Sequence, residues 1–285
     1  IQAMRVHHWL KNLLLGVPLV TSHNLADISL GAKTVVALLA FNLAASGGYL
    51  INDFLDLEAD RRHPVKRQRP LAAGTLPGSV GIGAIVILLL GALAISFILP
   101  RGFTLSVVVY LTTTILYSLW FKRIAIVDVL VLGFLYTLRI IAGCAALSID
   151  LSFWLLGFSM FFFLNLALVK RYAELQGLKE RGERSATRRG YRVGDYEVVR
   201  TMGIASGYVA VLVLALYMDS EQMLHLYRHA GLLWLLCPLV LFWHNRIWLV
   251  AHRGQLNEDP LVYAVSDRAS LLSAVLGLII IWISS

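Results

Sequence analysis

Apolar stretches long enough to cross the roughly 30 Å hydrocarbon core of a bilayer as helices recur throughout this sequence. They stand near residues 9–22, 31–55, 79–99, 103–121, 124–147, 152–174, 197–218, 230–250 and 262–283. The expected fold class is therefore all-α: a polytopic membrane protein with nine transmembrane helices, residues 1–285 forming a single domain. Composition agrees, since 58% of the residues are hydrophobic and only 15% are charged, against roughly 25% charged in a soluble domain. No linker rich in Pro, Gly or Ser divides the chain. The first run is short, follows Arg5, His7, His8 and Lys11, and is interrupted at Gly16-Val17-Pro18, so it is expected to lie partly in the interface.

Charge alternates between the loops. Arg5 and Lys11, the cluster at residues 61–69, Lys122 with Arg123, the segment 170–192, and Arg246 with Arg253 fall on one side, whereas the opposite loops offer Lys33, Arg101 and Arg228. The positive-inside rule then places the N-terminus and the large loops in the cytoplasm and the C-terminus outside. Topology and anionic lipid account for a net charge of +8, and no nucleic acid is expected as a partner. Cys144 and Cys237 read as small buried hydrophobes, and His225, His229, His244 and His252 as interfacial residues without ligand spacing.

At the end of the second run the chain reads Asn52-Asp53-Phe54-Leu55-Asp56-Leu57-Glu58-Ala59-Asp60. On a helix, Asp53, Asp56 and Asp60 fall at i, i+3 and i+7 and share a face, while Glu58 points elsewhere. Repulsion makes such a cluster costly unless a cation joins it. Hard oxygen ligands suit Mg²⁺, which takes one or two carboxylates together with the oxygens of a substrate phosphate. The bland alternative is a solvated helix end, but a dense cationic run follows at Arg61, Arg62, Lys66, Arg67 and Arg69. Lys66, Arg67 and Arg69 sit in a loop bounded by Pro64, Pro70 and Gly74 and are candidates for phosphate contacts.

Asp128 and Arg139 lie within an otherwise apolar helix, three turns apart on one face. About 16 Å of axis separates them, so they cannot pair with each other; each either marks a site or pairs with another helix. The sixth run ends Lys170-Arg171-Tyr172-Ala173-Glu174-Leu175, and the segment after it is basic, including Arg188, Arg189 and Arg192. Between Lys170 and Asp195 its acids are Glu174, Glu180 and Glu183, with no aspartate. Near the end, Glu258-Asp259-Pro260 and Asp267-Arg268 precede or open the last run; the latter pair would close the cytoplasmic mouth or form a helix-start ion pair.

Asn52-Asp53-x-x-Asp56-x-x-x-Asp60 resembles the first aspartate-rich signature of the UbiA superfamily of intramembrane prenyltransferases. Arg67-Gln68-Arg69-Pro70-Leu71 is similar to the K-x-R-P-L-like run that follows it, with Arg67 in place of Lys, and Trp9-x-Lys11-Asn12 is similar to the opening R-x-x-x-W-x-K-N. The chain departs from typical members at the end of the sixth run, where a second D-x-x-x-D-like motif is replaced by residues 170–175. The combined set, with Asp128 and Arg139-x-x-Ala142-Gly143, more closely resembles the decaprenyl-phosphate phosphoribosyltransferase branch, from about residue 5 to residue 175.

That resemblance implies a UbiA-like bundle in the bacterial cytoplasmic membrane with its site facing the cytoplasm. It implies 5-phosphoribosyl diphosphate as donor, a polyprenyl phosphate as acceptor and Mg²⁺ as cofactor. Asp53, Asp56 and Asp60, with Asn52, would hold the metal. Lys11, Lys66, Arg67, Arg69, Lys122, Arg139, Lys170, Arg171, Tyr172, Arg188 and Arg189 would bind substrate, with Asp128 or Glu174 contacting ribose hydroxyls or orienting an Arg. A homo-oligomer, and a phosphatase fused or paired as in some members, stay open. Two rivals remain: a prenyltransferase moving an isoprenoid from its diphosphate onto an aromatic acceptor, and a transporter or channel for an anionic lipid or solute.

Overall fold

Prolines and capping side chains set where the helices begin. In the computed structural model, which describes residues 2–22, 26–62, 66–182, 189–220, 227–256 and 259–284, the Asp27 side chain accepts from the N–H groups of Ser29 and Leu30 to open one helix. Pro77 and Pro100 precede two others, and Ser152 caps a fourth. The helices are α1 (Val17–Thr21), α2 (Ile28–Leu55), α3 (Leu57–Arg62), α4 (Gly78–Ser96), α5 (Arg101–Leu119), α6 (Val127–Leu147), α7 (Phe153–Glu180), α8 (Tyr196–Met218), α9 (Ala230–Leu233), α10 (Leu236–His252), α11 (Pro260–Ser266) and α12 (Arg268–Ser284). Arg188, together with residues 63–65, Glu183, His225 and Glu258, lies outside the described residues.

Among the described residues, seven helical stretches are long and apolar enough to cross a membrane, or eight if α11 and α12, bent by 86°, make one span. Against the nine expected, the first run is one that forms no such helix. Val6–Gly16 forms a 3₁₀ helix, followed by the five residues of α1. Its side chains run antiparallel along α2: Arg5 meets Asp53, Trp9 Nε1 donates to Ser46 Oγ, Asn12 Nδ2 donates to Asn42 Oδ1, and Gly16 lies beside Thr34. From Thr34 to Asp53 is about 28 Å of α-helix, whereas the eleven steps from Arg5 to Gly16 would climb only about 16 Å in α geometry. The steeper rise of a 3₁₀ helix, about 2 Å per residue, narrows that gap. These polar contacts hold the segment against α2.

The chain forms two compact units, residues 1–121 with 138–150 and residues 122–137 with 151–285. In the first, Ala37, Ala40, Ala44, Ala45, Gly47 and Gly48 are buried along α2, and such small residues let helices approach closely where lipid gives no hydrophobic drive between them. The Phe41 ring packs on Phe103 and Tyr110. Gly143 of α6 meets the 3₁₀ segment so closely that a Cβ there would stand 2.3 Å from the Leu15 carbonyl oxygen. That approach puts Asn12 within reach of Arg139.

In the second unit, α7, α8 and α10 enclose Leu168, Val169, Tyr172, Leu175, Val199, Ile247, Trp248 and Ala251. Trp248 Nε1 donates to Asn165 Oδ1. The bend between α11 and α12 falls at Asp267, whose carboxylate accepts from Arg246 Nη1 and Nη2 at 2.8 and 2.9 Å and from the Ser270 N–H at 2.9 Å. Asp267 is thus a helix-start cap whose ion-pair partner is Arg246 rather than the neighbouring Arg268. Replacing Gly143 by Ala must displace backbone of the 3₁₀ segment, and thermal unfolding in detergent should show a loss of about 1–3 kcal/mol.

Candidate active site

The α2 helix stops at Leu55, and Asp56, with φ −100° and ψ 5°, separates it from α3. The expected single helical face is therefore interrupted, but helical bonding bridges the break: Asp56 N–H reaches Asn52 O at 3.0 Å and Asp60 N–H reaches Asp56 O at 2.8 Å. Asp53 and Asp60 consequently still face one side and are buried, Asp56 is half-buried, and Glu58 is exposed.

Arg69 closes over this pair. Its Nη1 donates to Asp60 Oδ2 at 2.5 Å and to Asp53 Oδ1 at 3.1 Å, while Arg5 Nη2 donates to the same Asp53 oxygen at 2.5 Å. The loop that carries Arg69 is anchored by buried Leu71, which clusters with Leu50 and Leu88, and is folded back by Pro70 O accepting from Leu76 N–H and Thr75 Oγ1. Gly74, at φ +75°, makes the turn that a Cβ would strain. Burial lowers the pKa of Arg5, against the opposing pull of Asp53. Lys66 and Arg67 lie in an exposed 3₁₀ turn beside this loop.

The donor set suits a magnesium ion. Two carboxylate oxygens converge on a single cationic nitrogen, and Mg²⁺ typically takes one or two carboxylates with substrate phosphate oxygens completing its shell. Among the described residues no group of three His, Cys, Asp or Glu is arranged to hold a metal.

A second polar cluster forms in the other unit. Arg171, fully buried on α7, donates through Nε to Asp128 Oδ2 at 2.9 Å and also pairs with Glu174. Arg189 Nη1 donates to Asp128 Oδ1 at 3.0 Å and its Nε lies 3.8 Å from Glu174. The Arg171 guanidinium sits 5.5 Å over the Tyr191 ring, and the Tyr191 hydroxyl accepts from the N–H of Ile126. Ile126 has φ +68°, a rare conformation for a β-branched residue, two residues before Asp128. Gly190 permits this docking: a Cβ there would come 2.5 Å from Ala125 N.

The remaining expected residues divide. Lys170 pairs with Asp259, whose carboxylate also accepts from the Tyr136 hydroxyl and caps α11. Tyr172 points into the apolar core and bonds His252, away from the Arg171 network. Arg139, buried in the first unit, donates to Asn12 Oδ1 at 2.8 Å and to the Tyr110 hydroxyl at 3.3 Å. Lys11 and Lys122 are buried. Sequence reasoning missed Arg5, Asp259 and Tyr191 as members of these clusters. Arg5 had a signal, since it opens the pattern that continues through Trp9, Lys11 and Asn12; the partnership of Asp259 with a lysine 89 residues away had none.

Membrane-length helices with carboxylate–guanidinium clusters near their ends define an all-helical membrane protein with charged sites at its helix termini. The chain belongs to the UbiA prenyltransferase family, whose model matches residues 14–260, and it is an integral membrane protein. It is 38% identical to the uncharacterized protein y4nM of Sinorhizobium fredii over 268 residues, 94% of this chain and 52% of that protein. It is 35% identical to nodulation protein NoeC of Azorhizobium caulinodans over 278 residues, 97% of this chain and 90% of NoeC. With decaprenyl-phosphate phosphoribosyltransferase of Mycolicibacterium smegmatis it shares 40% identity over 182 residues, 62% of this chain and 57% of that enzyme. The chain thus spans about half the length of y4nM and of the mycolicibacterial enzyme. In fold it is similar to a UbiA homolog from Archaeoglobus fulgidus solved with DMAPP and Mg²⁺, at TM-score 0.75, 17% identity and 98% coverage of both chains.

Removing the charge of Asp128 would leave Arg171 buried without its principal anion. Asp128→Asn should therefore destabilise the protein by about 3–5 kcal/mol in detergent unfolding, whereas Tyr191→Phe, which deletes one hydrogen bond, should cost about 1 kcal/mol.

Proposed function

We propose that this transferase moves the 5-phosphoribosyl group of 5-phosphoribosyl diphosphate onto a polyprenyl phosphate, releasing diphosphate, at the cytoplasmic side of a bacterial membrane. The observation that carries the reading is the Asp128–Arg171–Glu174–Arg189 network, whose Arg171 and Glu174 fall in the stretch 170–175 that the resemblance aligns with a second aspartate-rich motif. Two guanidinium groups suit phosphate, not metal, and this donor brings a 5-phosphate besides its diphosphate while the acceptor adds another. Similarity to the phosphoribosyltransferase from Mycolicibacterium smegmatis over 182 residues supports the same choice.

Asp53 and Asp60, with Asp56 and Asn52 beside them, would hold Mg²⁺, and when bound the ion would neutralise charge on the leaving diphosphate. Arg5, Arg69, Lys66 and Arg67 would bind diphosphate oxygens. Arg171 and Arg189 would take a further phosphate, with Glu174 and Asp128 orienting them. As the C1–O bond to diphosphate breaks, the leaving group keeps the bonding electrons, and an oxygen of the lipid phosphate forms the new bond to C1. That oxygen is already anionic, so no side chain is needed as a general base.

Incubating purified protein in lipid with Mg²⁺ and a polyprenyl phosphate, and analysing the lipids by mass spectrometry, tests this. Phosphoribosyl diphosphate should yield a lipid heavier by a phosphoribosyl group, and Asp53→Asn should lower the rate by about 100-fold or more. A product formed only when a prenyl diphosphate and an aromatic acceptor are supplied would reject the assignment in favour of prenyl transfer. Transport unaffected by Asp53→Asn, with no lipid product, would reject both enzymes.

A further inference from the structure

The buried acids of the first unit already share a cation, and that cation belongs to the chain. Arg69 Nη1 lies between Asp60 Oδ2 and Asp53 Oδ1 at 2.5 and 3.1 Å, and Arg5 Nη2 adds a contact of 2.5 Å to the latter oxygen. The carboxylate side chains are only 4% and 5% exposed, while the arginines are 18% and 24% exposed. Two acids and two guanidinium groups therefore form a locally neutral set whose anions are deep and whose cations are nearer solvent.

We infer that Arg69 is an internal stand-in for the metal, so that divalent cation and diphosphate bind as a strongly coupled pair and the cation alone binds weakly. A divalent ion entering by itself must displace a guanidinium from two buried oxygens and leave it close to the new positive charge, beside Arg5. When diphosphate arrives as well, Arg69 and Arg5 exchange carboxylate oxygens for phosphate oxygens and every charge keeps a partner. Each ligand then raises the affinity for the other by the same factor. The exchange keeps the acids neutralised in the empty site and joins metal capture to arrival of the donor.

The inference rests on the metal–diphosphate role given above to Asp53 and Asp60, but not on which group the diphosphate carries. Mn²⁺ suits the same oxygen donors and can be counted by electron paramagnetic resonance. With the purified full chain at matched free Mn²⁺, saturating inorganic pyrophosphate should tighten Mn²⁺ binding by about ten-fold or more. In Arg69→Gln, Mn²⁺ alone should bind about ten-fold more tightly than to the unaltered protein, and the factor by which pyrophosphate tightens it should fall by about ten-fold, leaving the part due to direct coordination of the ion by pyrophosphate. Arg69→Lys, which keeps the charge but not the fork, should fall between the two and serves if the glutamine variant does not fold. Mn²⁺ binding that is unchanged by pyrophosphate in the unaltered protein, or equal affinity and coupling in both Arg69 variants, overturns the inference while leaving the lipid-product assay untouched. No Mn²⁺ binding under either condition overturns the metal assignment and this inference together. A phosphoribosyl assay that fails while the coupling stands would instead reject only the choice of donor.

Discussion

Carboxylates cannot stand buried at the end of a membrane helix without a counter-charge, and most of the polar structure of this protein follows from that requirement. Asp53 and Asp60 are neutralised by Arg69 and Arg5, and Asp128 and Glu174 by Arg171 and Arg189. Each of these two clusters thus joins two acids and two guanidinium groups. The arrangement repeats in chemistry and not in sequence: the first acids come from a broken helix end, the second from the starts and ends of two separate helices. Arg rather than Lys occupies all four basic positions, as expected where one planar group must serve two acceptors in fixed directions.

The two clusters differ in depth. Asp53 and Asp60 are sunk below their arginines, whereas in the second unit Arg171 and Asp128 are both fully buried and Glu174 is more than a third exposed. Under the proposed function, deep acids beneath shallower cations suit a metal with an anion above it, and the Arg171 and Arg189 guanidinium groups suit a further anion. The Tyr191 hydroxyl and the close approach at Gly190 hold that loop to the turn before Asp128, so the position of Arg189 is set by backbone packing as well as by charge.

The N-terminal segment shows how polar contacts choose local geometry. By propensity Val6–Gly16 has no reason to adopt a long 3₁₀ helix, a form that rarely exceeds one turn. Its partners along α2 and the contact of Leu15 with Gly143 require a steep climb, and the segment stretches to meet them. Asn12 then joins three elements, donating to Asn42 and accepting from Arg139, which gives the buried arginine of α6 a neutral anchor in its own unit. Asp128, on the same helix, belongs to the other unit, in keeping with the separation that already forbade a direct pair.

Sequence alone determined the helical class, because apolar runs of membrane length leave the backbone no other way to satisfy its hydrogen bonds in lipid. It also marked Asp53, Asp60, Arg69, Asp128 and Arg171, because ionisable residues beside or within such runs are too costly to be incidental. Local pattern could not say that Asp56 breaks the helix, that the first run is a 3₁₀ segment, that Tyr172 turns toward the apolar core, or that the final run bends by 86° at Asp267. Nor could it pair Arg5 with Asp53 or Lys170 with Asp259, since partners so far apart in the chain are chosen only when helices pack. Periodicity fixes which residues a helix presents; which charge meets which is decided by tertiary contact, where burial makes an unmatched ion too expensive to keep.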